Sequence, residues 1–488
     1  MINDLEYANR QLLPRWVPFS QIQILNPTGF TRLNNTQLEK ENYKDLENTW
    51  TNKKTVPLAI EIISSSHLLD IEDTVLYKEA IDFLFENHLD VIEINQYLSS
   101  ILGKEKSTES SPQNNIQKLK KIVRFNNTDD SAWVDLAFFY SIQGQKKQAE
   151  KCINTALYLN PTSIFTIKGI TKYLLLTGNI DEALWVLNKN DDYKSNPQII
   201  STEISIAEAY NLKSKLLRKG HSIVKEGNIT SFEKNELFAT FATMEFNSGN
   251  SKMGQKLFSN SLIYPNENIL AQARYLSSKF NKTINTADIN IPGTYERDSW
   301  IAYKNENFED VLKYSIEWFY FQPFSVTPAL MNSFINSMVF NNEKKSIEMT
   351  KKALRIAPNN FSLLNNQVVS LYRSNNLKEG DLKLKELEKC PISKEEDRKV
   401  LLATEGLADY RNKRIVEGKE KYIDAINYFK RKNDIEKYCR AVYFLAYEKK
   451  CIEDLTYIDE IKEIKTIAEK FNISDIKSAI SRNFSNIK

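Results

Sequence analysis

Glycine and proline are scarce in this chain, 13 of each in 488 residues. That scarcity excludes collagen-like and turn-rich β architectures and leaves long helices joined by short connections. Cysteine is scarcer still: Cys152, Cys390, Cys439 and Cys451 share no C-x2-C spacing, so no disulfide framework is expected and a reducing, cytoplasmic setting fits best. The opening residues, MINDLEYANRQLLPRW, lack a basic start followed by an apolar run, so no signal peptide is expected. Nowhere does the chain reach the run of roughly 18 apolar residues that a membrane span needs. Neither sign of charge dominates: 66 basic and 63 acidic residues give a net +3. Such balance offers no chain-wide electrostatic reason to bind nucleic acid or anionic lipid, and neither nucleic acid nor a membrane is expected as a partner.

The chemical inventory is equally thin. His67, His88 and His221 are the three histidines, and none stands at metal-ligand spacing from a cysteine or carboxylate. The motifs H-E-x-x-H, G-x-S-x-G, G-x4-G-K-[ST] and G-x-G-x-x-G are missing. Acidic pairs such as Asp129-Asp130 and Glu395-Glu396 fall in inter-helix turns, where N-capping accounts for them. Cys152 falls inside a helical pattern with no histidine nearby, which predicts a buried, inert thiol. No catalytic residue, cofactor or metal is expected.

What the chain does have is a period. In SAWVDLAFFYSIQGQKKQAEKCINTALYLNP, residues 131–161, Trp133, Leu136, Ala137, Tyr140, Gly144, Ala149, Ile153, Ala156 and Pro161 are spaced as in a helix–turn–helix unit. A shift of 34 residues, a spacing typical of repeat arrays, brings the pattern back at Ile167, Ile170, Leu174, Gly178, Ala183 and Leu187. It returns further on at Phe238, Phe241, Ala242, Phe246 and Gly249, at Val311, Ser315 and Trp318, at Ser346, Thr350 and Ala353, at Leu364, Val368 and Leu371, and at Leu402, Gly406, Gly418 and Tyr422. Small residues mark where two helices cross closely. Gly144 and Gly178 end first helices in the left-handed conformation that glycine tolerates.

These residues resemble the tetratricopeptide repeat, with Ala137 in place of its usual glycine and Ile153 in place of its phenylalanine. The resemblance implies an all-α solenoid of tandem helix–turn–helix units forming a right-handed superhelix, with helical N- and C-terminal caps. It covers a first block over 90–280 and a second over 298–432. Between them, 281–297 breaks helical periodicity and reads as a linker or hinge. Residues 433–488 read as C-terminal capping helices, and 1–89 as an N-terminal helical cap or docking region. Within the latter, TVPLAIEIISSSHLL and DTVLYKEAIDFLFENHL have amphipathic helical spacing. Residues 13–30 are proline-broken and aromatic. Trp16, Val17 and Phe19 therefore lack a periodic face to hide on and are candidate docking residues.

The resemblance also implies that positions five and nine of each first helix face a concave groove. That gives Val134 and Phe138, Lys168 and Lys172, then Met331, and Asn365. The Lys and Asn positions with which one subgroup of these repeats grips a terminal carboxylate hold Val134 and Phe138, so that clamp is not expected. Lys168 and Lys172, one turn apart, suit an acidic or phosphorylated group. The function expected is a non-catalytic scaffold or adaptor holding a partner protein or peptide in the groove. The alternatives are a peptide-responsive regulator, or the specificity subunit of a complex whose chemistry lies on another chain.

Overall fold

The computed structural model describes residues 10–18, 36–68, 74–87, 112–189, 194–225, 231–286, 289, 291–392 and 394–485. Phe19, His88 and the start of the first repeat block, residues 90–111, lie outside the described residues. The described residues hold 24 helices and no strand: the chain is an all-α array of helical pairs with tetratricopeptide-like spacing. None of these helices is long and apolar enough to cross a membrane. The chain divides into two compact units, one of residues 17–139 and 151–159, the other of residues 1–16, 140–150 and 160–488.

The smaller unit begins with α1 (Thr36–Asn52), α2 (Val56–Leu68) and α3 (Val75–Asn87), followed by α4 (Pro112–Phe125). Helices α5 (Asp130–Ile142) and α6 (Lys146–Leu159) supply residues to both units. Trp50, Ala59, Ile62, Ile63, Tyr77, Ala80 and Leu84 form one core between α1, α2 and α3. The Trp50 Nε1 donates to Glu79 Oε2 at 3.1 Å. α2 and α3 coincide with the two amphipathic segments read from sequence. α1 is an addition: its Tyr43, Leu46 and Trp50 keep helical spacing within an otherwise polar stretch.

The larger unit runs as pairs: α7 (Ile164–Leu176) with α8 (Ile180–Asn188), α9 (Pro197–Ala209) with α10 (Leu217–Lys225), and α11 (Ser231–Asn247) with α12 (Ser251–Ser261). Next comes α13 (Glu267–Lys279), after which the described residues 281–286, 289 and 291–294 are non-helical. Pairing resumes with α14 (Tyr295–Lys304) and α15 (Phe308–Phe321), α16 (Thr327–Met338) and α17 (Glu343–Ile356), α18 (Phe361–Arg373) and α19 (Leu377–Leu387), α20 (Glu395–Arg411) and α21 (Ile415–Arg431). Helices α22 (Ile435–Cys451), α23 (Tyr457–Phe471) and α24 (Ser474–Asn483) complete it.

A left-handed residue closes the first helix of each pair. From α5 on it is Gly144 (φ 72°) and Gly178 (φ 83°) as read from sequence, Gly249, asparagine at Asn211, Asn341 and Asn375, and Glu306 and Lys413 in two others. Asparagine is the non-glycine residue that visits this region most readily. The α20–α21 crossing is the tightest. A Cβ on Gly406 would stand 2.9 Å from the Gly418 carbonyl, and one on Gly418 2.8 Å from the Gly406 carbonyl. Only a bare Cα at both positions lets the two backbones touch.

The C-terminal helices fold back on the middle of this unit. Phe334, Met331 and Trp318 share one core with Tyr438, Val442, Ile476 and Phe484. The Tyr443 hydroxyl donates to the Met338 carbonyl at 3.3 Å, and Asn483 Nδ2 to the same oxygen at 3.1 Å. Arg440, 5.4 Å over the Phe334 ring, ends on Asp475 at 2.9 Å. α16 is consequently buried along its whole length.

Candidate functional site

The first helices of α7, α11 and α13, with α14, line a cleft in the larger unit. Residues 10–16 of the chain lie in it as extended, non-helical chain. On α13, Asn268 and Gln272 are one turn apart and share a face. Both grip the main chain of this strap: Asn268 Nδ2 donates to the Leu13 carbonyl at 3.2 Å, and Gln272 Nε2 to the Arg10 carbonyl at 3.1 Å. Gln272 Nε2 also reaches Thr243 Oγ1 on α11 at 3.1 Å, which fixes the amide's orientation.

The strap's side chains are held as firmly. Arg10 Nε donates to Glu296 Oε1 at 2.8 Å, its Nη2 to Asn268 Oδ1 at 2.9 Å, and its Nη1 to Gln272 Oε1. Arg15 donates to the other Glu296 oxygen and to Gln322, with its Nε 3.9 Å from Glu267. Leu12 enters the core built by Ile200, Ile204, Phe238, Ile269 and Ala273. The Trp16 ring stacks on Phe324 with centroids 5.1 Å apart and meets Tyr173 edge-on at 6.2 Å.

Three carboxylates, Glu236, Glu267 and Glu296, sit in this cleft, and their surroundings separate them. Burial pushes Glu296 up, but Arg10 and Arg15 outweigh it and bring the carboxyl down to about 2. Burial also raises Glu236, and Lys168, 2.8 Å away, reverses the shift. For Glu267 burial prevails over the more distant Arg15, and its pKa is raised. Burial, then repulsion from Arg15, lowers Lys172 to about 8 against the pull of Glu296. Arg10, Arg15, Lys172, Glu296, Trp300, Trp318 and Phe324 border a cavity of about 520 Å³ beside the strap.

The sequence-derived candidates divide. Lys168 and Lys172 do face the cleft, where they meet acidic groups of this same chain. Trp16 is buried against Phe324 and Tyr173, and Val17 is buried too. Of this segment, Trp16 packs on residues of the larger unit and Val17 belongs to the smaller one. Met331 is a correction: it is fully buried in the core because the C-terminal helices cover α16, so it lines no open groove. Asn365, on α18, is likewise buried and accepts from Thr404 Oγ1 at 2.7 Å. Val134 and Phe138 are buried in the smaller unit, at 0% and 2% exposure, and neither offers a side chain to a ligand. Of the consecutive aromatics Trp318, Phe319, Tyr320 and Phe321 on α15, Tyr320 alone is exposed.

Sequence reasoning missed Arg10, Arg15, Asn268, Gln272 and Glu296. A signal existed for the amides: Asn268 and Gln272 lie at i, i+4 and flank the run Ile269, Leu270 and Ala271. Away from the cleft, burial pushes the Cys152 thiol up to about 11, and His221 lies stacked on Phe241 at 4.3 Å. Among the described residues no group of histidine, cysteine and carboxylate could hold a metal ion.

No protein-family model and no curated protein matches the chain. Among solved structures, it is similar to a human IFIT1 dimer with PPP-AAAA, at 13% identity over 94% of this chain and 99% of that one, TM-score 0.31. It is similar to the P58(IPK) TPR domain at 13% identity over 74% and 98%, TM-score 0.26, and to Naa15/Naa10 bound to HypK-THB at 12% over 93% and 72%, TM-score 0.24. The IFIT1 structures overturn one expectation. They hold PPP-AAAA and m7Gppp-AAAA, and the expectation that nucleic acid is excluded as a partner is withdrawn. Its flaw is physical: a net charge of +3 is a sum over the whole chain and does not fix the sign lining any one cleft.

Proposed function

We propose that the protein is a non-catalytic repeat scaffold that binds an extended polypeptide segment along the inner helices of its larger unit. The observation that carries this reading is the main-chain grip of Asn268 and Gln272 on the Leu13 and Arg10 carbonyls. Side-chain amides that hold backbone carbonyls recognise a polypeptide as such, whatever its side chains. Pockets for individual side chains then add selectivity, here around Leu12 and Trp16.

The test is affinity capture of the full chain from its native cells, beside an Asn268→Ala/Gln272→Ala variant whose circular dichroism and melting match the parent. A stoichiometric polypeptide lost only from the variant supports the reading. A partner retained equally by both, or nucleic acid alone, refutes it.

A further inference from the structure

The strap is built differently from the helical repeats it lies on. Within it, Leu13 N donates to Gln11 O at 2.8 Å in a tight turn, and its two arginines and two of its carbonyls bond to the cleft walls. Its grip is concentrated: both guanidinium groups converge on the single Glu296 carboxylate. A cavity of about 520 Å³ flanks it, so the strap does not fill the cleft.

Charge states what must enter. Lys168 answers Glu236 at 2.8 Å. That leaves Glu267 and Glu296 to the two strap arginines, with Lys172 at the edge and its own charge disfavoured by burial. With the strap out, Glu296 would keep the nearby charges of Arg274 and Lys172 but lose the direct bonds from Arg10 and Arg15, so an incoming segment restores them by bringing guanidinium groups at matching spacing. The apolar sites set the other requirements: an aliphatic side chain in the Leu12 position and a flat aromatic against Phe324.

Resting on the scaffold reading above, we infer that residues 10–16 are a built-in competitor, and that the cleft's partner in trans is an extended segment of the same pattern. That pattern is arginine at the first place, an aliphatic residue at the third, arginine at the sixth and tryptophan at the seventh. The strap occupies the cleft until such a segment displaces it. A tethered occupant works at an effective concentration of order 1 mM, so the apparent affinity for a free competitor is reduced by the fraction of time the cleft stands open.

The experiment uses a fluorescein-labelled peptide, ANRQLLPRWVP, and reads anisotropy against the full chain. Wild type should bind weakly. The full chain with Arg10→Ala/Arg15→Ala should bind about 10- to 100-fold more tightly, because its own strap no longer competes. Trp16→Ala, a second way to weaken the strap that leaves the cleft walls intact, should act in the same direction if the double variant folds poorly. A peptide with both arginines replaced by alanine should lose binding. Equal affinity for wild type and both weakened straps, or indifference to the peptide's arginines, overturns the inference. If the peptide fails everywhere while a captured polypeptide still depends on Asn268 and Gln272, this inference fails alone. If that dependence is lost as well, the scaffold reading falls with it.

Discussion

Replacing Glu296 by glutamine should release the strap while leaving the repeats folded. The carboxylate accepts from Arg10 at 2.8 and 3.2 Å and from Arg15 as well, at 12% side-chain exposure, so solvent screens these bonds little. Its pKa falls from 4.5 to about 2. At about 1.4 kcal/mol per unit, that shift is worth about 3 kcal/mol. An amide keeps the shape, removes the charge and leaves two guanidinium groups in a desolvated site, which costs about 3–5 kcal/mol when one partner of a buried pair is lost. The readout is trypsin cleavage after Arg10 and Arg15, followed by mass spectrometry. If opening precedes cutting and recloses quickly, Glu296→Gln should raise the rate by about 100-fold or more. The sign with pH follows from the depressed carboxyl. The hold is complete above about pH 4.5 and fades as pH falls towards 2. Amide exchange over 10–16, corrected for intrinsic rates, should therefore be protected near about pH 6, weakened near about pH 3 and least protected near about pH 2. Unchanged cleavage in Glu296→Gln, with the strap still protected at low pH, would refute the ion-pair account of docking.

Other outcomes follow from the same coordinates. Lys172→Met should stabilise the chain at neutral pH by up to about 3 kcal/mol, since the folded state disfavours a charge that the unfolded chain carries freely. Because the folded pKa is about 8 against 10.5, the wild-type penalty should shrink as pH rises through that interval, which denaturant melts across it will show. Gly418→Ala should destabilise by about 2–3 kcal/mol, since its Cβ would strike the Gly406 carbonyl and Tyr410 at 2.8 and 2.7 Å. A melting temperature within a degree of wild type would contradict that packing. Arg440→Met leaves Asp475 buried at 1% exposure and should cost about 3–5 kcal/mol in a urea titration.

Much of the fold was legible because a repeat writes its geometry many times. Gly144 and Gly178 announced their left-handed turns, and Val311, Ser315 and Trp318 fell on one helical face. Helix α1 was harder to see, because Tyr43, Leu46 and Trp50 are spread among many polar residues. For the site, periodicity could place Lys168, Lys172 and Met331 on the same kind of face, but not say what lies over that face. Strap and glutamate cover the first two, while C-terminal helices bury the third. Trp16 could be recognised as a residue in search of a surface. Its surface could not, since Arg10 and Glu296 stand 286 residues apart and no local pattern encodes so distant a pairing.

The non-helical chain described after α13 has a consequence for how the array comes apart. In a repeat protein, cooperativity is passed from neighbour to neighbour, like force along a chain of links. A link whose described residues form one helix instead of two is where such a chain parts. The strap lies across that link, joined to Asn268 and Gln272 on one side and to Glu296 and Gln322 on the other. It acts as a clasp over the weak joint. Whatever opens the cleft therefore also loosens the mechanical continuity between the two stretches of repeats, and occupancy of the cleft sets how far strain travels along the molecule.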